Sequence, residues 1–352
     1  MNRPPHVKTR IIGLLGALVM LNLGVWCWAL IVMRGQTALF GIALLAYGLG
    51  LRHAVDADHI AAIDNVTRKL MQEGTRPVSV GLFFAMGHST IIVVVALAVA
   101  TAASRLSEFM GLREIGGIIS TSVSALFLLV IAGLNLSIFR SIYQSYKRVR
   151  AGGAFRTDHF DMLLSQRGLA ARLLKPLFAL VAKSWHMFPL GLLFGLGFDT
   201  ATEVAMFGVS ASQIVKGAPM QTVVVLPMLF AAGMSLIDTA DGIVMLGAYE
   251  WAFVKPIRKL YYNMVITLVS VIVALLIGGI EALGLIGRRL GGGGPFWKII
   301  LELNANFNKM GFCIISVFLA AWLISYLIYR LKKIDRLDNP IGEYGEPRTV
   351  SP

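Results

Sequence analysis

The sequence predicts an all-α polytopic membrane protein with eight transmembrane helices. Of its 352 residues, 57% are hydrophobic and only 14% are charged, and the mean hydropathy of +0.73 lies far above that of soluble globular domains. Apolar runs of about 20 residues, the length that spans a bilayer, occur at residues 11–33, 39–64, 78–103, 115–139, 186–211, 219–247, 259–287 and 310–329. No segment between them is long enough for a soluble domain, so residues 1–352 form a single membrane domain.

The first run follows a basic leader, but its 23 apolar residues favour an uncleaved anchor over a signal peptide. Residues 140–185 form the longest connection, a basic loop predicted to lie on anionic lipid headgroups on the cytoplasmic side. The glycine-rich segment 288–309 predicts a flexible outer loop, and residues 330–352 predict a polar tail.

The basic residues indicate how the chain is oriented. Of the Lys and Arg residues, 23 fall in the odd-numbered hydrophilic segments and 8 in the even-numbered ones, while Arg52 lies within the second span. By the positive-inside rule, both termini are cytoplasmic and the chain is a multi-pass protein of the inner membrane. The net charge of +13 is thereby explained without a nucleic-acid partner.

Ionisable residues are concentrated in the second span, where charged groups are energetically costly and usually mark an ion or substrate path. On a regular helix, neighbouring members of the series His53, Asp56 and His59 are about 60° apart around the helix axis, so the three share one face. Asp58 falls about 140° from His53. Either Asp58 is a hydrogen-bond partner of the histidines and does not bind the metal itself, or the helix unwinds at Asp58. We predict a metal-binding role for these four residues.

Three further spans carry polar residues. His88 in span three is a candidate metal ligand, although a hydrogen bond to a neighbouring helix would also explain it. Asp199 and Glu203 share a face of span five, as do Asp238 and Asp241 in span six. These four carboxylates are predicted to line the ion path, with structural pairing as the alternative.

The polar clusters repeat along the chain. Residues 85–89 (AMGHS) match 231–235 (AAGMS) at an offset of 146, and residues 57–61 match 201–205 at 144. Spans two and three therefore correspond to spans five and six. Because three spans separate the copies, they would cross the membrane in opposite directions, as in the inverted repeats of secondary transporters.

The available side chains restrict the chemistry. Cys27 and Cys313 are the only cysteines, so nitrogen and oxygen atoms must supply most of the ligands. Imidazoles with carboxylates suit nickel or cobalt better than magnesium or calcium, which prefer all-oxygen shells. No phosphate-binding loop is present. No ATPase subunit and no resident cofactor are implied, and membrane lipids and the metal ion are the expected partners.

The stretch from Arg52 to Ile60 (RHAVDADHI) resembles the second-helix signature of the nickel/cobalt transporter family. Residues 87–90 (GHST), 196–203 (LGFDTATE) and 233–241 (GMSLIDTAD) resemble that family's other signatures, in family order. The resemblance implies an eight-helix, high-affinity permease for Ni²⁺ or Co²⁺. By the same resemblance, the residues expected to bind and pass on the metal are His53, Asp58, His59 and His88.

These observations predict a secondary transporter that imports divalent nickel or cobalt and is not an enzyme. A membrane-embedded metal-dependent enzyme is the main alternative, but it would call for His-Glu-x-x-His or several His-rich surface motifs, which are missing from this sequence. A metal sensor or scaffold would require a folded soluble domain. The residues do not separate nickel from cobalt, since both accept the same ligands.

Overall fold

The computed structural model describes residues 5–101, 106–150, 181–196, 201–252, 256–291 and 294–331. Within these ranges the chain is helical and has no β-strand, which confirms the predicted all-α class. Helices dominate because a segment in lipid must satisfy its own backbone hydrogen bonds. Numbered in chain order, the α-helices are α1 Pro5–Val32, α2 Thr37–His53, α3 Ala57–Gln72, α4 Val80–Thr101, α5 Leu106–Arg150, α6 Met187–Gly195, α7 Ala201–Val215, α8 Met220–Ala252, α9 Pro256–Leu290, α10 Pro295–Ala305 and α11 Phe307–Leu331.

The structure is that of a multi-pass membrane protein. Five helical segments are long and apolar enough to cross a bilayer, and they coincide with predicted spans one, three, four, six and seven: Pro5–Val32, Val80–Ala98, Gly117–Ser137, Met220–Glu250 and Thr267–Leu290. Helices α2 and α3 make a sixth crossing if they count as one bent span. The described residues therefore support five or six spans.

The prediction of eight spans is not confirmed. Predicted span five falls on α6 and α7, and the residues that join them, 197–200, lie outside the described part of the chain. Predicted span eight falls on α11, where the qualifying apolar stretch, Lys309–Phe318, is short. Most of the predicted basic loop and polar tail also lies outside the described ranges, although α5 continues to Arg150.

The second span is broken, so its treatment as a regular helix was wrong. Helix α2 ends at His53, α3 begins at Ala57, and the two are bent by 51°. The amides of Val55 and Asp56 donate back to the carbonyls of Arg52 and His53, at 3.1 and 2.9 Å. Asp56 then adopts an extended backbone and starts α3. The structure thus supports the alternative in which the helix unwinds beside Asp58.

Helix α3 lies at the centre of the molecule. Every residue from His59 to Met71 is buried, including Asp64, Arg68 and Lys69. Helices α4, α5, α8, α9 and α11 all contact it. Some of its polar groups find partners on those neighbours: Arg68 Nη1, for example, donates to Thr267 Oγ1 at 3.0 Å. A polar helix can occupy this core because such hydrogen bonds replace those lost from water.

Glycines bring α8 close to α2. A Cβ atom on Gly50 of α2 would overlap the backbone of Phe230 in α8, and one on Gly233 of α8 would contact the carbonyl of Tyr47 in α2. The absence of a side chain at both positions lets the helix backbones approach, as is common for helix pairs in membranes.

A second close crossing joins α4 and α6. Gly87 of α4 lies against the carbonyl of Phe188, and Gly191 of α6 lies against the carbonyl of Phe84. As at the first crossing, each helix has a glycine that lies against a backbone carbonyl of the other helix. The first crossing is close to His53 along α2, and the second is close to His88 along α4.

A helix occupies part of segment 288–309, for which a flexible loop was predicted. Gly294 has a φ of 111°, a conformation that favours glycine, and Pro295 follows at the first position of α10. The fixed φ of proline suits the first helical position. The N–H group that proline lacks would have no acceptor within the helix there. Trp297 then packs against Gly287 of α9, so α10 is held on the transmembrane helices.

Candidate metal centre

The break in span two positions the first histidine. His53 is the last residue of α2, where the helix ends, and Asp56 lies three residues further at the start of α3. The Nδ1 atom of His53 donates to Asp56 Oδ2 at 2.9 Å, and both residues are buried. This contact orients the ring and leaves Nε2 as the atom that can bind a metal.

Two other helices place further candidate ligand atoms close to His53 Nε2. His88 Nε2, on α4, lies 3.0 Å from His53 Nε2 and 3.0 Å from Oε1 of Glu203 on α7. Glu203 Oε1 is 3.8 Å from His53 Nε2. A point equidistant from the three atoms would be about 1.9 Å from each, close to the ~2.0–2.1 Å of a zinc–imidazole bond. The three atoms are therefore spaced as ligands of one first-row metal ion.

His59 completes a group of three imidazoles. Its Nδ1 atom lies 3.3 Å from both carboxylate oxygens of Asp238 on α8. The His59 ring centroid is 4.7 Å from that of His53 and 4.8 Å from that of His88. One nitrogen from each of the three rings can be chosen so that all lie within 4.8 Å of one another. A carboxylate that holds the far side of a ligating imidazole is the usual partner in metal sites.

Several buried atoms at this site have no hydrogen-bond partner among the described residues. They include His59 Nε2, His88 Nδ1 and Asp58 Oδ1. Buried polar atoms in native proteins are nearly always paired. Because His59 Nδ1 faces the carboxylate of Asp238 and carries the proton of a neutral ring, the Nε2 atom of His59 offers its lone pair to a metal. A neutral His88 that binds through Nε2 carries its proton on Nδ1. The pattern fits a site that binds a cation.

Two phenylalanine rings pack against the histidines. Phe84 meets His59 edge-on at 4.8 Å between ring centroids, and Phe230 lies 5.5 Å from His53. Both phenylalanines are fully buried. Apolar rings beside the ligands lower the local dielectric constant and so strengthen the interaction of a cation with those ligands.

The structure brings together most of the residues predicted from sequence. His53, His59 and His88 form the centre, and Asp56 contacts it directly. Asp58 lies beside these residues in a cavity of about 210 Å³ that also contains His53 and His88.

The predicted ion-path carboxylates fall into three groups. Glu203 and Asp238 contact His88 and His59 and so belong to the centre itself. Asp241 forms no hydrogen bond or ion pair with a histidine among the described residues, and its Oδ2 atom is buried without a hydrogen-bond partner. Asp199 lies outside the described part of the chain.

Sequence reasoning missed two buried carboxylates. Asp64 accepts hydrogen bonds from Tyr249 and from Ser270, and Glu281 of α9 faces the same cavity as the histidines. Each had a signal in the sequence, because Asp64 follows the histidine cluster closely and Glu281 is the only acidic residue in the run 259–287. An acidic residue within a span is a candidate functional group by its cost alone.

The known proteins that this chain resembles include nickel and cobalt transport proteins. The profile of a family described as high-affinity nickel-transport protein (NicO) matches residues 39–328. The chain is 52% identical over 336 residues to the "High-affinity nickel transport protein" of Cupriavidus necator, covering 95% of this chain and 96% of that protein. It is 42% identical over 310 residues to "High-affinity nickel-transport protein NixA" of Helicobacter pylori, covering 86% and 92%. It is 41% identical over 337 residues to "Cobalt transport protein NhlF" of Rhodococcus rhodochrous, covering 92% and 94%. No solved structure matches.

Proposed function

The chain belongs to the family of high-affinity nickel-transport proteins, and from this premise we propose that it is a secondary transporter carrying Ni²⁺ or Co²⁺ into the cell. The family predicted from sequence is confirmed. The relatives are named as nickel or cobalt transport proteins, and none supports the enzyme alternative. The metal is the cargo, so the reaction needs no resident cofactor.

The observation that carries the proposal is the set of atoms formed by His53, His88 and Glu203. Their spacing matches one coordination shell, and His59 offers a further imidazole beside it. Imidazole with carboxylate favours nickel and cobalt over magnesium and calcium. The two cysteines, Cys27 and Cys313, are exposed and take no part. Glu203 is thus assigned to the metal together with the histidines.

The membrane potential supplies enough driving force. Moving two charges inward through 100 mV releases about 4.6 kcal/mol. That free energy sustains roughly a 2,000-fold concentration gradient, so accumulation needs neither ATP nor an ATPase subunit.

The proposal includes eight crossings of the cytoplasmic membrane with both termini inside. The uneven distribution of Lys and Arg between alternate segments supports this orientation. Helix α11 has 25 residues, about 38 Å at 1.5 Å per residue, which exceeds the ~30 Å hydrocarbon core. Helices α6 and α7 would together supply the fifth crossing, as α2 and α3 supply the second.

The proposal also includes an inverted repeat, in which the halves move against each other. The two close helix crossings support it: Gly87 and Phe84 take the same positions in one crossing that Gly233 and Phe230, 146 residues later, take in the other. The ligands come from both copies, three histidines from the first and two acidic residues from the second. Relative motion of the copies would therefore separate the ligands and release the ion.

The experiment is uptake of radiolabelled Ni²⁺ by the purified chain in liposomes. An inside-negative potential should drive accumulation, and reversing the potential should remove most of it. Unlabelled Co²⁺ should compete and Ca²⁺ should not, because calcium prefers an all-oxygen shell. Liposomes that contain the His59→Ala variant serve as the control. Equal uptake by the variant and the native chain, or no response to the potential, would contradict the proposal.

A further inference from the structure

The cavity at the metal centre extends away from the histidines. Besides His53 and His88, it is lined by Ser124 of α5, Glu281 of α9 and Asn304 of α10. In the proposed orientation, α10 belongs to the outer segment of the chain. The cavity therefore leads from the metal centre towards the outer face.

Glu281 is the acidic residue on this outer part of the cavity wall. Its side chain is 4% exposed, and its two oxygens accept from Ser124 Oγ at 2.9 and 2.8 Å. It lies nine residues before the end of α9, which is about 14 Å along the helix. A carboxylate at that depth is costly, and it typically marks an ion path.

The charges on the cavity wall match a divalent cation. The wall carries four carboxylates, those of Asp56, Asp58, Glu203 and Glu281, and two guanidinium groups, those of Arg52 and Arg288. With neutral histidines the formal charge is −2. One divalent cation balances that charge, and the low-dielectric surroundings strengthen the attraction.

Helix α10 is held over this end of the cavity. Gly284 of α9 leaves space for the side chain of Asn304, whose Nδ2 donates to the carbonyl of Ile280 at 3.5 Å. Glu281 is the next residue along α9. The carboxylate of Glu281, the hydroxyl of Ser124 and the side-chain amide of Asn304 thus line the same end of the cavity.

We propose that Glu281, with Ser124, forms an entry site for the hydrated divalent cation, from which the ion passes to His53, His88 and Glu203. The inference rests on the proposed function and extends it to a second binding position. Carboxylate and hydroxyl oxygens bind a cation that still carries its water, whereas imidazoles must replace that water. The entry site therefore concentrates the ion before it loses its hydration shell.

The test compares Glu281→Gln with Glu302→Gln, a matched change at an exposed position on α10 that does not line the cavity. Initial uptake rates and equilibrium Ni²⁺ binding are measured on the same purified preparations. We expect Glu281→Gln to raise the half-saturating concentration for uptake about tenfold. Equilibrium binding at the histidines should change less than twofold, and Glu281→Asp should restore most of the uptake.

Each alternative outcome is decisive. An unchanged half-saturating concentration in Glu281→Gln overturns the entry site, as does equal loss of binding and uptake in both Glu281 variants, which would make the residue structural. If the native chain itself fails to transport Ni²⁺, the proposed function fails first, so the two failures are distinguishable.

Discussion

Replacing Asp238 with asparagine removes the carboxylate that holds the third histidine. Asp238 is completely buried, and both its oxygens lie 3.3 Å from His59 Nδ1. Asparagine has nearly the same shape but no charge, so it keeps the packing and weakens the contact that orients the ring. Loss of such a partner typically lowers metal affinity 10- to 100-fold, which corresponds to about 1.4–2.7 kcal/mol.

The assay is equilibrium Ni²⁺ binding by the purified protein, followed by uptake in liposomes. Both the dissociation constant and the half-saturating concentration should rise within that range. Glu250→Gln is the matched control, because Glu250 is on the same helix but pairs with Arg76 at 3.6 Å instead of a histidine. If Asp238→Asn binds Ni²⁺ as tightly as the native chain, His59 does not depend on this carboxylate and the assignment is wrong.

Three other outcomes are expected. His59→Ala should abolish uptake while the protein still inserts into the membrane, because the change removes an imidazole without adding charge; normal uptake would remove His59 from the site. Gly311→Ala should lower uptake and destabilise the fold by about 1–3 kcal/mol, since the added Cβ atom would overlap the backbone at the break between α2 and α3. Gly279→Ala is the control, because this glycine has open space around it and the change should have little effect on uptake or stability. A reporter active only in the cytoplasm should work when fused after Arg150 and fail after Gly292, and the reverse pattern would overturn the orientation.

The histidines of the metal centre were predictable because each stands out within an apolar span. His53, His59 and His88 were selected on the cost of a polar group in lipid, a property of each residue and its neighbours in sequence. The structure gathers all three, with Asp56 in contact. The prediction of a single helical face failed, because the turn after His53 changes the direction of the chain and the helical period no longer applies.

The contacts between distant residues could not be read from local patterns. Glu203 is 115 residues from His88, and Asp238 is 179 residues from His59. Their acidic character suggested an ion path, but only the packing of α7 and α8 against α2 and α4 brings them to the imidazoles. Helix α10 was not predicted because the glycine run before it is typical of a loop, although Pro295 is a common helix start.

The most direct test of the central claim is the nickel X-ray absorption spectrum of the purified, Ni²⁺-loaded protein. We expect a first shell of nitrogen and oxygen atoms, outer-shell scattering from imidazole rings, and fewer such rings in the His88→Gln variant. A sulfur shell at about 2.3 Å, or a spectrum that the His88 substitution leaves unchanged, would contradict a metal centre built from the histidines of α2, α3 and α4.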